Sequence, residues 1–330
     1  MRIGYAAMLE QFAPADIVDY CVAAESLGFD GVMATDHFQP WLPRHAAASH
    51  LWSVLGAIGA RITGDFGPAA TTPTFRTHPA VVAQAAATLA SLYPGRMWLG
   101  VGSGEALNEH IVGEYWPEPG ERIETMLEAV DIIRRLFAAS AAGRMIRHSG
   151  RRFRMESTRL WTVPAAAPPL FVATTGPLTA RRAGLVADGI VTTGESLERT
   201  AHVLDRFAEG ARESGRDAAQ MPKALQLHLS WAPTDEQALT NALEEWPMAG
   251  LRIRRGDVRS PYDFEQLVRS VTADDVRAGM LVSADPDAHR ARIQQYADLG
   301  FTRIYLHNVG RNQREWLEVF GREVLPKVRS

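Results

Sequence analysis

Apolar residues along the chain gather into short continuous runs, separated by longer stretches in which they recur every three or four positions. Eight of the runs read as strands: Arg2–Ala7, Gly31–Thr35, Phe66–Thr71, Arg96–Val101, Leu170–Thr174, Gly189–Thr193, Ala224–Trp231 and Arg303–His307. Runs that are mostly apolar throughout, rather than alternating, suit parallel strands covered on both faces. The stretches between them, such as Ala15–Leu27, Pro79–Leu92, Ile123–Ala138, Thr179–Leu185 and Asp287–Leu299, carry the helical period. Gly28, Gly189 and Gly300 each stand where a helical stretch gives way to a strand. Glycine supplies the left-handed conformation that ends a helix. Eight strands alternating with helices predict an α/β fold, a (β/α)8 TIM barrel forming one domain over residues 1–330. An open doubly wound sheet is the rival, and it rarely needs eight such units. Two segments read as insertions: 139–167 after strand four, with a hairpin about Ser149-Gly150, and the polar, helical 233–283 after strand seven.

A length of 330 residues suits a large barrel, and 46% hydrophobic with 22% charged residues gives a core that needs no crosslinks. The net charge of −3 gives no reason to expect nucleic acid or an anionic membrane as partner. The one cysteine, Cys21, falls in a helical apolar pattern and reads as a buried thiol; alone it makes no intrachain disulfide. No run approaches the roughly 20 apolar residues of a membrane span. Glu10 interrupts the first apolar run before it reaches signal-peptide length, so the expected compartment is the cytoplasm.

In a barrel of this kind the loops after the strands form the active site. Here they bring Glu10-Gln11 after the first strand, Asp36-His37 with Trp41 after the second, and Thr71 to Thr74 after the third. Gly102 to Glu109 follow the fourth, Thr174 to Pro177 the fifth, Thr193 to Glu195 the sixth, Ala232-Pro233 the seventh and Asn308 to Gly310 the eighth. Histidine is the side chain that exchanges a proton near neutrality. On the residues alone, His37 serves either that exchange or a bridge between loops. Glu105 is either an acid or a first-turn carboxylate facing a helix dipole. Trp41 either flanks a reacting centre or packs. Thr175-Gly176-Pro177 either opens a helix or cradles an anion on backbone N–H groups. The other histidines show no metal-ligand spacing, and His45 and His50 read as loop residues, so no metal is expected. No GxGxxG, P-loop or serine nucleophile elbow occurs.

Several segments carry a resemblance: Glu10-Gln11-Phe12-Ala13-Pro14, Asp36-His37-Phe38-Gln39-Pro40-Trp41, Thr72-Pro73-Thr74-Phe75-Arg76, Leu92-Tyr93-Pro94-Gly95-Arg96, Gly102-Ser103-Gly104-Glu105-Ala106-Leu107-Asn108-Glu109 and Ala284-Asp285-Pro286-Asp287. Together they resemble the deazaflavin-dependent glucose-6-phosphate dehydrogenases of the bacterial luciferase-like superfamily, over essentially the whole chain. The resemblance implies a (β/α)8 barrel, usually a homodimer, that binds coenzyme F420 and passes a hydride from a substrate C–H to C5 of the deazaflavin. It implies that His37 removes the hydroxyl proton, that Trp41 flanks the reacting centre, and that Glu105 supplies a proton at the N1 edge of the ring. Asp36 would contact the cofactor or steady its neighbour, and Glu10 would line the substrate cavity. Ala69-Ala70 falls where relatives carry a backbone bulge behind the ring. Thr72, Asn108, Thr174, Thr175, Gly176 and Pro177 would hold the ring and its phosphodiester tail.

One departure bears on substrate. Where relatives carry a lysine in the strand-six loop, this chain has Glu195, and Gln266 aligns with a second lysine and Gly279 with an arginine. A carboxylate repels a phosphate. The expected substrate is therefore a neutral alcohol or sugar, with Glu195 and Gln266 beside it, rather than glucose 6-phosphate. Arg252, Arg254, Arg255 and Arg259 read as a solvated helix face, with a different anion site as the alternative. Two rival functions remain: a reductase that uses reduced F420 on a ketone, imine or activated alkene, and an FMN-dependent monooxygenase. The Gly104 to Asn108 segment favours the deazaflavin over FMN.

Overall fold

The apolar runs become parallel strands in the computed structural model, which describes residues 1–194, 196–253 and 255–328. They are β1 (Arg2–Ala7), β2 (Gly31–Ala34), β3 (Asp65–Pro68), β4 (Leu99–Val101), β5 (Leu170–Ala173), β6 (Gly189–Thr193), β7 (Lys223–Ser230) and β8 (Arg303–Asn308). Their order is β3-β2-β1-β8-β7-β6-β5-β4, and every neighbouring pair is parallel. Two isolated bridges, Phe66 to Met97 and Thr71 to Val101, join the ends of that path. The molecule is thus an α/β TIM-type barrel, nearly closed.

The third and fourth strands are shorter than their apolar runs suggest. After Pro68 the chain changes partner. The Ala69 N–H donates to the Ala34 carbonyl beside β2 (2.9 Å), whereas the Thr71 N–H donates to the Gly100 carbonyl on β4 (3.0 Å). The Ala69–Ala70 peptide between them is cis. A run of small apolar residues reads as strand whichever neighbour its backbone addresses, so the hydropathy pattern carries no mark of this switch.

Outward side chains such as Ile3, Leu225 and Ile304 pack against the surrounding helices. Inside, Trp98 stacks on Phe171 at 5.4 Å and meets Tyr305 at 5.7 Å. This aromatic plug fills the barrel toward the strand N-terminal ends and leaves space only at the other mouth. The helices Pro14–Ser26 and Pro286–Ala297 stop at Gly28 (φ +98°) and Gly300 (φ +89°), both left-handed. Gly189 is different. It already belongs to β6, and a Cβ there would fall 2.6 Å from the Pro222 carbonyl oxygen and 2.8 Å from the Phe171 ring. Close packing, not a turn, requires that glycine.

Between β4 and β5 the strands Ile146–Ser149 and Arg154–Thr158 pair as an antiparallel hairpin. Between β7 and β8 run the helices Asp235–Glu245, Pro261–Leu267 and Ala273–Gly279. The strand Leu281–Val282 follows them and adds to β7 in parallel. This stretch brings Trp246 and Phe264 over the barrel mouth, 6.3 and 5.1 Å from the Trp41 ring. Among the described residues no helix is long and apolar enough to cross a membrane.

Candidate active site

A cavity of about 490 Å³ opens at the C-terminal ends of the strands. That size falls within the range of small-molecule sites. Seven of the eight strand ends reach it, β8 being the exception, and Trp246, Ile253, Arg255 and Gly256 close one side from the stretch after β7.

One wall is built for a proton. Glu10 is fully buried. One of its oxygens accepts from the Thr35 hydroxyl, and the other accepts from the Trp41 indole N–H at 3.2 Å. That second oxygen lies 3.9 Å from His37 Nε2. On the far side of the imidazole, Nδ1 is 3.2 Å from the Gln39 carbonyl, an acceptor, and 3.3 Å from Asn108 Nδ2, a donor. Nδ1 therefore has a partner in either tautomer, so a proton can arrive at or leave Nε2 without stranding it. Asn108 Oδ1 accepts from the Phe38 and Gln39 backbone N–H groups at 3.0 and 3.3 Å. Asn108 is buried beneath the His37 loop and is not among the lining residues. Its contacts in this structure are with that loop.

The opposite wall is flat. Ala69, Ala70, Gly102, Ser103 and Gly104 present nothing longer than a hydroxymethyl group. Gly104 holds φ +83°, and a Cβ there would lie 2.9 Å from both Thr72 Cγ2 and Glu109 Cγ. Side chains this small leave a slot with room for a planar group against the wall. Glu105 lines its edge, and desolvation raises its carboxyl above the ordinary carboxylate range, against the opposing pull of the His37 and Arg255 charges. It stays protonated at pH values where an exposed glutamate would not. Asp36 accepts from Thr71 Oγ1 at 2.7 Å and lies 3.4 Å from Arg76, whose Nε donates to Glu109 at 2.9 Å. Thr72, Thr174 and Thr175 line the cavity. Gly176 and Pro177 lie beyond its rim, at the start of the helix Pro177–Val186, which no side chain caps. Its first-turn amides are available to an anion arriving from the slot.

Glu195 and Arg254 lie outside the described residues. Gln266 is exposed on Pro261–Leu267 and does not line the cavity; the side chain this helix turns inward is Phe264. The arginine cluster is not one helix face. Arg252 and Arg259 are exposed, while Arg255 begins the single turn Arg255–Asp257 and lines the cavity. Residues passed over in the sequence also line it: Gln226, His228 and Trp246. Gln226, His228 and Ser230 alternate with Leu225, Leu227 and Leu229 along β7, and that two-residue period was the available signal.

Comparison with known proteins adds the following. The family model described as luciferase-like monooxygenase matches residues 1–303. A protein of Microbacterium testaceum named F420-dependent glucose-6-phosphate dehydrogenase is 36% identical over 333 residues, covering 100% of this chain and 98% of that protein. One of the same name from Mycobacterium leprae is 36% identical over 335 residues, with coverage of 100% and 98%. Among solved structures, an F420-dependent secondary alcohol dehydrogenase in complex with an F420-acetone adduct superposes with a TM-score of 0.94, 30% identity and coverage of 100% and 99%. The coenzyme F420-dependent tetrahydromethanopterin reductase of Methanopyrus kandleri, at 18% identity, 99% coverage of each chain and a TM-score of 0.82, shares the fold.

Proposed function

The chain belongs to the luciferase-like monooxygenase family, and from that premise we propose that it is an F420-dependent oxidoreductase moving a hydride between an alcohol carbon and the deazaflavin C5, with a neutral alcohol or sugar as substrate. The carrying observation is the pairing of a proton-accepting wall, Glu10-His37-Trp41, with a small-residue slot edged by Glu105, whose carboxyl burial raises above the ordinary carboxylate range.

The slot fits a deazaflavin ring: Ala69, Ala70 and Gly102 to Gly104 leave a planar gap, Thr72 stands beside it, and Thr174 to Pro177 lead to uncapped helix amides suited to the phosphodiester. When bound there, the deazaflavin supplies a hydride acceptor. The protein does the rest. His37 Nε2 takes the hydroxyl proton as the carbon–hydrogen bond breaks, which is general base catalysis. The Glu10 carboxylate stabilises the imidazolium that forms. Trp41, tied to Glu10 by its indole N–H and backed by Phe264 and Trp246, shields that pair from water. Asn108 and the Gln39 carbonyl orient the ring of His37. Glu105, its carboxyl raised by burial, is the group placed to exchange a proton at the edge of the slot.

A neutral substrate is supported by the charge of the lining. The Glu10 and Asp36 carboxylates face it, against Arg255, while burial biases Glu105 toward its neutral form. Such a wall disfavours a phosphate dianion. The reading extends, from the resemblance, to a homodimer in the cytoplasm. The experiment is a binding titration of the purified protein with F420 and, separately, with FMN, read by fluorescence. Saturable binding of F420 in preference to FMN is expected. Preference for FMN would replace this reading with the flavin monooxygenase one.

A further inference from the structure

His228 and His307 sit side by side in register on the adjacent strands β7 and β8. Their Nδ1 atoms are 2.8 Å apart, so one carries a hydrogen and the other does not. The rest of the chain of hydrogen bonds decides which. Gln11 Nε2 donates to the Val309 carbonyl at 2.7 Å and to a Glu245 carboxylate oxygen at 3.2 Å. Both of those partners are acceptors, and Arg311 binds the other Glu245 oxygen at 2.7 Å. The Gln11 amide therefore cannot be turned round, and its oxygen faces His307 Nε2 at 3.0 Å. His307 Nε2 must donate. Burial holds His307 neutral, so its Nδ1 is bare. His228 Nδ1 must then donate to it. Burial, with the nearby Arg255 charge, lowers the His228 imidazole to about 3, so this ring is neutral as well. Its Nε2 is left as a bare lone pair. His228 lines the cavity, packed on Trp246 at 5.1 Å, and no described residue makes a hydrogen bond to that nitrogen.

We propose that His228 Nε2 is a fixed hydrogen-bond acceptor in the substrate half of the cavity, which receives a second hydroxyl of the substrate and so selects a neutral polyhydroxy compound over a monohydric alcohol. The inference rests on the proposed function for the identity of the reaction, and on the hydrogen-bond chain alone for the tautomer. The placement agrees. The small-residue slot takes its walls from β3 to β5, whereas His228 stands on β7 across the cavity, on the side of Trp246 and Thr193. An acceptor there rewards O–H donors and gives nothing to a hydrocarbon. It also opposes the oxygens of a phosphate, which have no hydrogen to offer.

The first test needs no cofactor. Protein labelled with 15N-histidine is observed through two-bond nitrogen–proton correlations at pH 7. His228 is expected as the Nδ1–H tautomer and His307 as the Nε2–H tautomer. Adding glucose or xylitol is expected to move the His228 Nε2 resonance, and isopropanol to leave it in place. An Nε2–H tautomer, an imidazolium at pH 7, or equal responses to xylitol and isopropanol overturns the proposal. The second test uses the enzyme loaded with F420. His228→Phe is expected to lower the ratio of kcat/KM for polyols to that for isopropanol by about tenfold, the worth of one lost hydrogen bond, and His228→Gln to restore part of it. An unchanged ratio overturns the proposal. Failure of wild-type protein to bind F420 would overturn the proposed function instead, and the tautomer result would still decide the present inference.

Discussion

Replacing Glu10 by glutamine removes a charge and little else, which makes it a sharp probe of the proton wall. The amide fits the same hydrogen bonds. Its oxygen can accept from the Trp41 indole, and its NH2 can donate to the Thr35 hydroxyl, which then turns its hydrogen to the Ala7 carbonyl 3.5 Å away. What is lost is the carboxylate 3.9 Å from His37 Nε2, worth about 4 kcal/mol to an imidazolium at an effective dielectric of about 20 and about 1 kcal/mol in bulk water. Partial opening of the cavity puts the real value between these limits, near 2–3 kcal/mol, or about a hundredfold in rate. Because the charge on His37 develops as the reaction proceeds, the loss falls on kcat and leaves KM nearly unchanged. The assay is steady-state reduction of F420 by an alcohol, with Glu10→Gln made in both the wild-type and the His37→Ala backgrounds. In the second background the carboxylate has no imidazolium to stabilise, so the added substitution should cost little. A kcat for Glu10→Gln within twofold of wild type, or equal costs in both backgrounds, refutes the reasoning.

Glu105→Gln should slow alcohol oxidation and change the pH dependence of stability. A carboxyl raised by burial penalises the folded state once the pH passes the ordinary carboxylate value, so the variant should gain stability relative to wild type at pH 8 but not at pH 4; a pH-independent difference in urea midpoint contradicts this. His289 is buried, donates to the Ser283 carbonyl at 2.8 Å, and is lowered to about 4 by desolvation. Its contribution is fully present above about pH 6.5 and is lost as the pH falls from there toward 4, by about 3 kcal/mol in all. Urea midpoints should drop between pH 7 and 5, and less steeply in His289→Gln; a flat profile refutes it. Arg76→Ala strands the buried Glu109 carboxylate, with the half-buried Asp36 carboxylate beside it, and should cost about 3 kcal/mol in unfolding free energy, whereas a loss under 1 kcal/mol by denaturant titration would mean water replaces the guanidinium.

The barrel was legible because eight continuous apolar runs leave few other arrangements, and because residues at strand ends converge whatever the detail of their loops. That logic brought Glu10, Asp36, His37, Trp41, Thr72, Glu105 and Thr174 to one cavity. Three things escaped it. The switch of partner at Ala69-Ala70 is a backbone event without a side-chain signature. His228 was read as part of an apolar strand, although Gln226, His228 and Ser230 mark one face of it. Arg255 was assigned to a solvated helix, but the chain there is irregular and folds this arginine inward while Arg252 and Arg259 stay out. Periodicity speaks to regular elements, and this part of the site lies on an irregular one.

The central claim is tested most directly by following absorbance at 420 nm as alcohols are added to the purified protein with F420. Bleaching with a neutral polyol or secondary alcohol, but not with glucose 6-phosphate, is the result the account predicts. Bleaching with glucose 6-phosphate and not with neutral alcohols would contradict it, and would mean that Arg255 and its neighbours form a phosphate site in spite of the acidic lining.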